Sequence, residues 1–299
     1  MLKGIIIKCI GKNKIYIVIL AVAAVFVCSA LFGRDVIPIM ANKKTDEAIK
    51  IPVIMYHSVI NNSSRAGKYV ITPEQMESDL IFLKENGYNT IFVQDLIDYV
   101  YSGIELPENP VVLSFDDGCY NNQAYVLPLL EKYDAKAIIS IVGKYTDMYT
   151  EQKDENPNYA SLSWDNVNEL IESGRIEIGN HSDNMHYLNN NGRKGCHKKW
   201  AESDEEYKKA LRDDLGKLQS KCLSNAGITP VVFTYPFGCI SPESSAVVEE
   251  LGFLASLSCE EGMNYIMEKT PEELYLLKRF IRTDVRSVKD IFKAQKLVN

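Results

Sequence analysis

Tryptophan and histidine are scarce in this chain, two and four among 299 residues. Cysteine is sparse for its pattern: there are seven, and no two form a Cys-x-x-Cys pair. That excludes a disulfide-built scaffold and argues against a thiolate metal site. The chain has no low-complexity tract and no internal repeat, so solenoid and collagen-like architectures are excluded as well. Basic charge is lacking beyond the first segment. Residues 1–34 hold Lys3, Lys8, Lys12, Lys14 and Arg34 and no acid, leaving 28 basic against 40 acidic residues elsewhere, net −12. A body that acidic argues against a nucleic-acid partner and against binding to an anionic lipid surface. What is present, 46% hydrophobic and 24% charged residues, suits a folded chain of one large domain or two small ones.

One long apolar run stands out. Ile15 to Phe32 carries no charge, and as a helix it would reach roughly 27 Å, close to the hydrocarbon thickness of about 30 Å. Four lysines precede it, so the positive-inside rule predicts a cytoplasmic tail at 1–14, a transmembrane signal anchor at 15–32 and everything later outside. Cys28-Ser29-Ala30 is a poor cleavage site, which favours an anchor over a cleaved signal peptide that would leave the protein secreted. Residues 33–50 lack periodicity and read as a linker to a domain at 51–299.

Along that domain, strand and helix patterns alternate. Apolar runs at Ile51–Tyr56, Tyr88–Val93, Pro110–Phe115, Ala137–Val142, Arg175–Gly179, Val231–Tyr235, Phe253–Leu257 and Leu274–Ile281 predict strands. Capping boxes at Thr72-Pro73-Glu74-Gln75 and Ser203-Asp204-Glu205-Glu206 open helices. Further helices are predicted at Asp95–Tyr101, Asn122–Tyr133, Ser163–Glu172, Glu243–Leu251 and from Val288. This order predicts a parallel, barrel-like α/β domain, whose chemistry gathers at the carboxyl ends of the strands.

Polar residues sit at those ends: Tyr56-His57, Asp116-Asp117-Gly118, Asn180-His181-Ser182 and Tyr235-Pro236-Phe237-Gly238. His181 and His186 lie five positions apart just beyond one strand. Two imidazoles and one carboxylate, from Asp117 or Asp116, make a common donor set for catalytic zinc. The paired aspartates allow one to hold a metal while its neighbour takes a proton from water. Cys119 and Cys239 each follow one of these motifs, and a disulfide between them is one possibility beside two reduced thiols.

These motifs resemble the polysaccharide deacetylases, the NodB-homology proteins of carbohydrate esterase family 4. The similarity lies in Ser114-Phe115-Asp116-Asp117-Gly118, in Glu177–Ser182 with His186, in Tyr235–Gly238, in Pro52–His57 and in Leu83–Asn89, spanning about residues 51–281. The resemblance implies a distorted, incomplete (β/α) barrel that removes N-acetyl groups from a polysaccharide. It implies Asp117, His181 and His186 as ligands of a divalent metal, zinc ahead of cobalt or nickel, and Asp116 as general base. It also implies a backbone N–H near Phe237 facing the developing oxyanion, with Tyr235 and Phe237 at the substrate. The pattern departs from the family in three places that matter. The His181–His186 spacing is one residue longer than usual and resembles the poly-N-acetylglucosamine deacetylase branch. Thr234 stands where an arginine normally orients the base, and the usual Leu-x-His of the general acid is replaced by Leu276-Leu277-Lys278-Arg279. That branch carries a histidine where His57 stands, and His197 reads as an exposed loop residue, so His57 is the expected proton donor. Tyr120 and Trp164, with Tyr235 and Phe237, are candidates for sugar-stacking walls, although on the sequence alone each but Phe237 reads first as a core residue.

Two other functions compete with an anchored deacetylase of peptidoglycan or poly-N-acetylglucosamine type. One is a catalytically weak or inactive carbohydrate-binding barrel, and the other a metal hydrolase for a different amide or ester. The expected partner is an N-acetylated polysaccharide, with the membrane touched only through the N-terminal helix. Nothing in the sequence fixes the oligomeric state.

Overall fold

The computed structural model describes residues 48–298. The predicted anchor at 15–32 and tail at 1–14 lie outside the described residues. Among the described residues no helix is long and apolar enough to cross a membrane.

Eight strands form one parallel sheet: β1 (Val53–Tyr56), β2 (Asn89–Ile91), β3 (Pro110–Phe115), β4 (Ala137–Ile141), β5 (Ile176–Asn180), β6 (Val232–Thr234), β7 (Ala255–Leu257) and β8 (Phe280–Ile281). Its order is β7-β6-β5-β4-β3-β1-β8, with β2 pairing the lower half of β3. Leu277, just before β8, makes a parallel bridge to Leu257 at the far edge. The row therefore curls into an irregular, partly closed barrel. Helices α1 (Pro73–Glu85), α2 (Val93–Ser102), α3 (Leu127–Tyr133), α4 (Gly143–Gln152), α5 (Trp164–Glu172), α6 (Asp204–Ala226), α7 (Ser244–Glu250) and α8 (Val288–Ala294) connect and cover the strands, as a parallel sheet buried on both faces requires.

Strand alternation divides the core. Leu113, Phe115, Ile139, Ile141 and Ile178 pack outward with Leu80, Leu130, Val167 and Phe292 of the helices. On the opposite pleat, Val112, Ile138 and Val232 fill the barrel floor together with Leu96 and Ile97 of α2. Two residues further along the same pleats, the interior turns polar: Ser114, Ser140 and Thr234 are wholly buried. The Ser140 and Thr234 hydroxyls bond each other at 2.7 Å, and Ser114 Oγ donates to the Ile54 carbonyl. The barrel is thus an apolar plug below and a hydrogen-bonded polar layer above, open at the carboxyl ends.

Both predicted capping boxes form, Thr72 with Gln75 and Ser203 with Glu206. The predicted strand at Leu274–Ile281 does not run its length. Pro271–Leu274 is a tight helical turn, Leu276 takes a left-handed φ of 58°, and apart from the single bridge at Leu277 only Phe280–Ile281 pairs. The five cysteines among the described residues are free thiols, so the Cys119–Cys239 disulfide is absent; the Ser58 hydroxyl instead donates to the Cys119 sulfur at 3.4 Å.

Candidate metal centre and catalytic cleft

Three strand ends are bent sharply where chemistry was expected. Asp117 (φ 75°), Ser182 (φ 75°) and Phe237 (φ 57°) all adopt left-handed backbone just past β3, β5 and β6. Such conformations cost a non-glycine residue about 1–3 kcal/mol each and cluster at functional sites. After Asp117 the chain must continue through Gly118 at φ 65°, where a Cβ would lie only 3.1 Å from Ile141 Cγ2. Glycine is required there on both grounds. The bend lets two adjacent carboxylates serve different neighbours.

Asp117 turns to the histidines. Its Oδ1 lies 3.0 Å from His186 Nε2 and 3.5 Å from His181 Nε2. One ligand atom from each of the three residues falls within 4.8 Å of the others. His181 is buried, and its Nδ1 faces the Thr234 carbonyl at 2.7 Å. Donation from Nδ1–H to that carbonyl leaves the Nε2 lone pair pointing at Asp117, the arrangement a metal-binding imidazole needs. The donor set fits a divalent ion of the zinc class. Burial alone would raise the Asp117 carboxyl pKa, but its bonds to His181 and His186 hold it well below the usual range. Burial likewise opposes protonation of His181, yet Asp117 and Asp116 outweigh it and raise that pKa.

Asp116 turns the other way, to a residue the sequence did not single out for a role. Arg279 is fully buried and grips Asp116 with both terminal nitrogens, Nη1 to Oδ1 at 2.7 Å and Nη2 to Oδ2 at 2.9 Å. Its Nε donates to the Ser258 carbonyl, and Nη1 also reaches Ser114 Oγ. Burial pushes the Asp116 pKa up, but Arg279 and His181 more than offset this, leaving the carboxyl below its ordinary value. Arg279, and not residue 234, is the cation that orients Asp116. The one hint in the sequence was an arginine inside a largely apolar run read as strand. Thr234 instead supplies the carbonyl that orients His181.

His57 stands at the rim of the same cleft, with Nε2 3.9 Å from Asp116 Oδ2. Its ring packs on Tyr69, centroids 4.7 Å apart. Burial lowers its pKa despite the pull of Asp116 and Asp117, so the imidazole is neutral near pH 7. Phe237 lines the opposite wall, its ring 4.5 Å from that of His186. The cleft has a volume of about 560 Å³, and Tyr69, Lys68, Leu188 and Lys194 are among its lining residues.

Three of the four candidate aromatic walls lie elsewhere, in or against the core. Tyr235 is buried, bonds Ser244 through its hydroxyl and stacks edge-on with Phe233 in the core beneath α6 and α7. Its position on the outward pleat, beside inward Thr234, removes it from the cleft, and this corrects the substrate-contact expectation for that residue. Trp164 is buried with its indole N–H on Asp147, and the Tyr120 hydroxyl faces Glu155. Tyr69, exposed at the cleft mouth, is the aromatic that sequence reasoning missed; it sits in a loop without periodicity. His197 is exposed, as expected.

Comparison with known proteins bears on the family and the fold. The family profile described as polysaccharide deacetylase matches residues 103–256. A poly-β-1,6-N-acetyl-D-glucosamine N-deacetylase of Escherichia coli K12 is 24% identical over 228 residues, covering 70% of this chain and 34% of that protein. The chain thus spans about a third of the length of that relative. A protein of the same description from Staphylococcus aureus MRSA252 is 23% identical over 269 residues, covering 83% and 87% of the two chains. Among solved structures, a de-N-acetylase from Aggregatibacter actinomycetemcomitans superposes with a TM-score of 0.69 at 24% identity, covering 82% of this chain and 99% of that one. A deacetylase of Streptococcus pyogenes in complex with acetate gives 0.66 at 18% identity, covering 82% and 98%. At these identities the structural matches establish the fold.

Proposed function

The chain belongs to the polysaccharide deacetylase family, and from that premise we propose that it is a metal-dependent N-deacetylase of an extracellular N-acetylated polysaccharide. The reading includes poly-N-acetylglucosamine or peptidoglycan as substrate and a membrane anchor at residues 15–32. The observation that carries it is the convergence of Asp117, His181 and His186 beside an Asp116 held by Arg279, all opening on one cleft.

Asp117 Oδ1, His181 Nε2 and His186 Nε2 would hold the ion. When bound there, zinc, or cobalt or nickel in its place, supplies carbonyl polarisation and lowers the pKa of water from about 15.7 toward roughly 7. Asp116, ionised and fixed in direction by Arg279, takes the proton of the attacking water. The water oxygen bonds to the acetyl carbon while the Phe237 end of the Tyr235–Gly238 turn faces the growing oxyanion. The carbon–nitrogen bond then breaks. His57, neutral and close to Asp116, is placed to receive the proton and deliver it to the departing sugar amine, and acetate is released. Arg279 supplies the orienting partner that Thr234 could not, which weighs against an inactive binding barrel.

The test is acetate release by the full chain in detergent, supplied with Zn²⁺, Co²⁺ or Ni²⁺. It is offered peptidoglycan, chitin oligomers and poly-β-1,6-N-acetylglucosamine in parallel. Release from at least one glycan, abolished by chelation, is the expected result. Turnover of small aryl acetates alone would favour the hydrolase of another ester, and no release from any substrate would sink the reading.

A further inference from the structure

Between His181 and His186 the chain makes five steps through a loop that itself contains no helix or strand. Its shape is imposed from outside. Asp214, half-buried on α6, presents both carboxylate oxygens to the loop: Oδ1 accepts the Asp183 N–H at 2.9 Å and Oδ2 the Asn184 N–H at 2.9 Å. One turn on, Lys217 Nζ reaches Asp183 Oδ2 at 2.7 Å, and Lys221 Nζ closes on Asp183 Oδ1. Positions 214, 217 and 221 are successive places on one helix face, so a single row of α6 grips the loop. From the other side the first N–H groups of α4, at Gly143 and Lys144, donate to the Ser182 and Asp183 carbonyls. A Cβ on Gly143 would stand 2.6 Å from Asp183 Oδ1, so α4 is pressed directly against the loop. Within the loop, Ser182 Oγ accepts the Met185 N–H at 3.1 Å.

We infer that Asp214 is a positioning residue that sets the His181–His186 loop in its ligating shape by binding the main-chain N–H groups of Asp183 and Asn184. The inference rests on the metal-binding reading of those histidines. Each of the two adjacent amides meets its own oxygen, and an ionised carboxylate is the side chain whose two oxygens both accept, through charge-assisted bonds. Burial pushes the Asp214 pKa up to about 6, so the anion is kept at neutral pH against that burial, with the two amide bonds opposing the rise. The extra residue between the histidines, relative to the commoner family spacing, lengthens the stretch that must be held. Asp214 acts on the ligands through the backbone and touches no ligand itself.

The experiment measures Zn²⁺ affinity of the chelator-stripped full chain by competition with a fluorescent chelator, together with the visible spectrum of the Co²⁺ form. Wild type is compared with Asp214→Ala, Asp214→Asn and Asp213→Ala, the last removing an exposed neighbour paired to Lys209. Losing a group that orients ligands typically weakens metal affinity about 10–100-fold. Asp214→Asn keeps the size but turns a donor toward an N–H, and it serves if Asp214→Ala fails to fold. The expected outcome is that loss in the folded Asp214 variants, a changed Co²⁺ spectrum, and an unchanged Asp213→Ala. A folded Asp214→Asn that binds Zn²⁺ within twofold of wild type overturns the inference, as does an equal loss in Asp213→Ala. A wild type that binds no ion overturns the deacetylase reading on which the inference stands.

Discussion

Arg279 illustrates what one buried cation does when it has a single strong partner. Both charges are withdrawn from water, and their bidentate geometry with the Ser114 and Ser258 oxygens meets the remaining donors. Removing the arginine strands Asp116, so Arg279→Ala should lose about 3–5 kcal/mol of stability in denaturant melts. Arg279→Lys keeps the charge but not the fork. It should fold with a smaller loss while acetate release falls by on the order of 10²-fold, the scale of a displaced general base. Wild-type turnover in Arg279→Lys would contradict the orienting role. The adjacent aspartates should separate by assay: Asp117→Ala loses zinc binding, whereas Asp116→Asn binds zinc and loses turnover. Acetate release retained by Asp116→Asn would remove Asp116 from the base role. The aspartate pair and the histidines were legible in the sequence because their spacing is local. Arg279 was not, since its partner lies 163 positions away and only the fold brings them together.

At the scale of elements, helix α2 is docked on the sheet through Glu177 of β5. Its Oε2 accepts the Val93 N–H at 2.8 Å and lies 3.4 Å from the Gln94 N, at the positive end of that helix. Burial nevertheless wins and pushes the Glu177 pKa from 4.5 up to about 7. The folded state therefore holds this proton more tightly than the unfolded chain. Its stabilising contribution is full below about pH 4.5 and is lost as pH rises toward 7. Glu177→Gln, which keeps an acceptor for Val93, should thus gain stability over wild type as pH goes from 5 to 8. The gain should be about 1–3 kcal/mol after allowing for partial exposure, read from paired melts at the two pH values. A gain that does not grow with pH would refute this account. Elements with strong local signals were legible: the capping boxes at Thr72 and Ser203, and the apolar row Tyr207, Leu211, Leu215, Leu218 and Cys222, all buried on α6. Helix α4 was not. It begins on Gly143 and buries only Gly143 and Thr146, so its sequence carries little apolar period. The strand Asn264–Ile266 was missed because it pairs only with Ile49–Ile51, in a ladder far apart in sequence.

For the whole molecule, the site exists only when the two ends of the domain meet. Phe280 and Ile281 pair with Ile54 and Met55 of β1, while Leu277 bridges Leu257 of β7. This one segment closes the sheet row and carries Arg279 inward. Immediately after it, Arg282 enters a second buried pair, its Nε 2.7 Å from Asp79 Oδ2 across 203 positions of sequence. Asp79 also receives the Tyr56 hydroxyl and, at Oδ1, the Val288 N–H that starts α8. Strand β1, helix α1 and the closing helix are thereby fastened at one carboxylate, with Tyr56 directly preceding His57 in the chain. Breaking a buried pair from one side leaves an uncompensated charge and costs about 3–5 kcal/mol, whereas replacing both partners with apolar groups is often neutral. Arg282→Met alone should therefore destabilise the protein by that amount, and Asp79→Leu combined with Arg282→Met should recover much of it. Urea melts of the single and double variants check this, with zinc release followed in the same titrations. If the closing segment and the metal centre form one cooperative unit, both signals will move together to lower urea in Arg282→Met and return in the double variant. Zinc release that stays at the wild-type midpoint while the fold weakens would mean that the centre is held by β3, β5 and α6 alone.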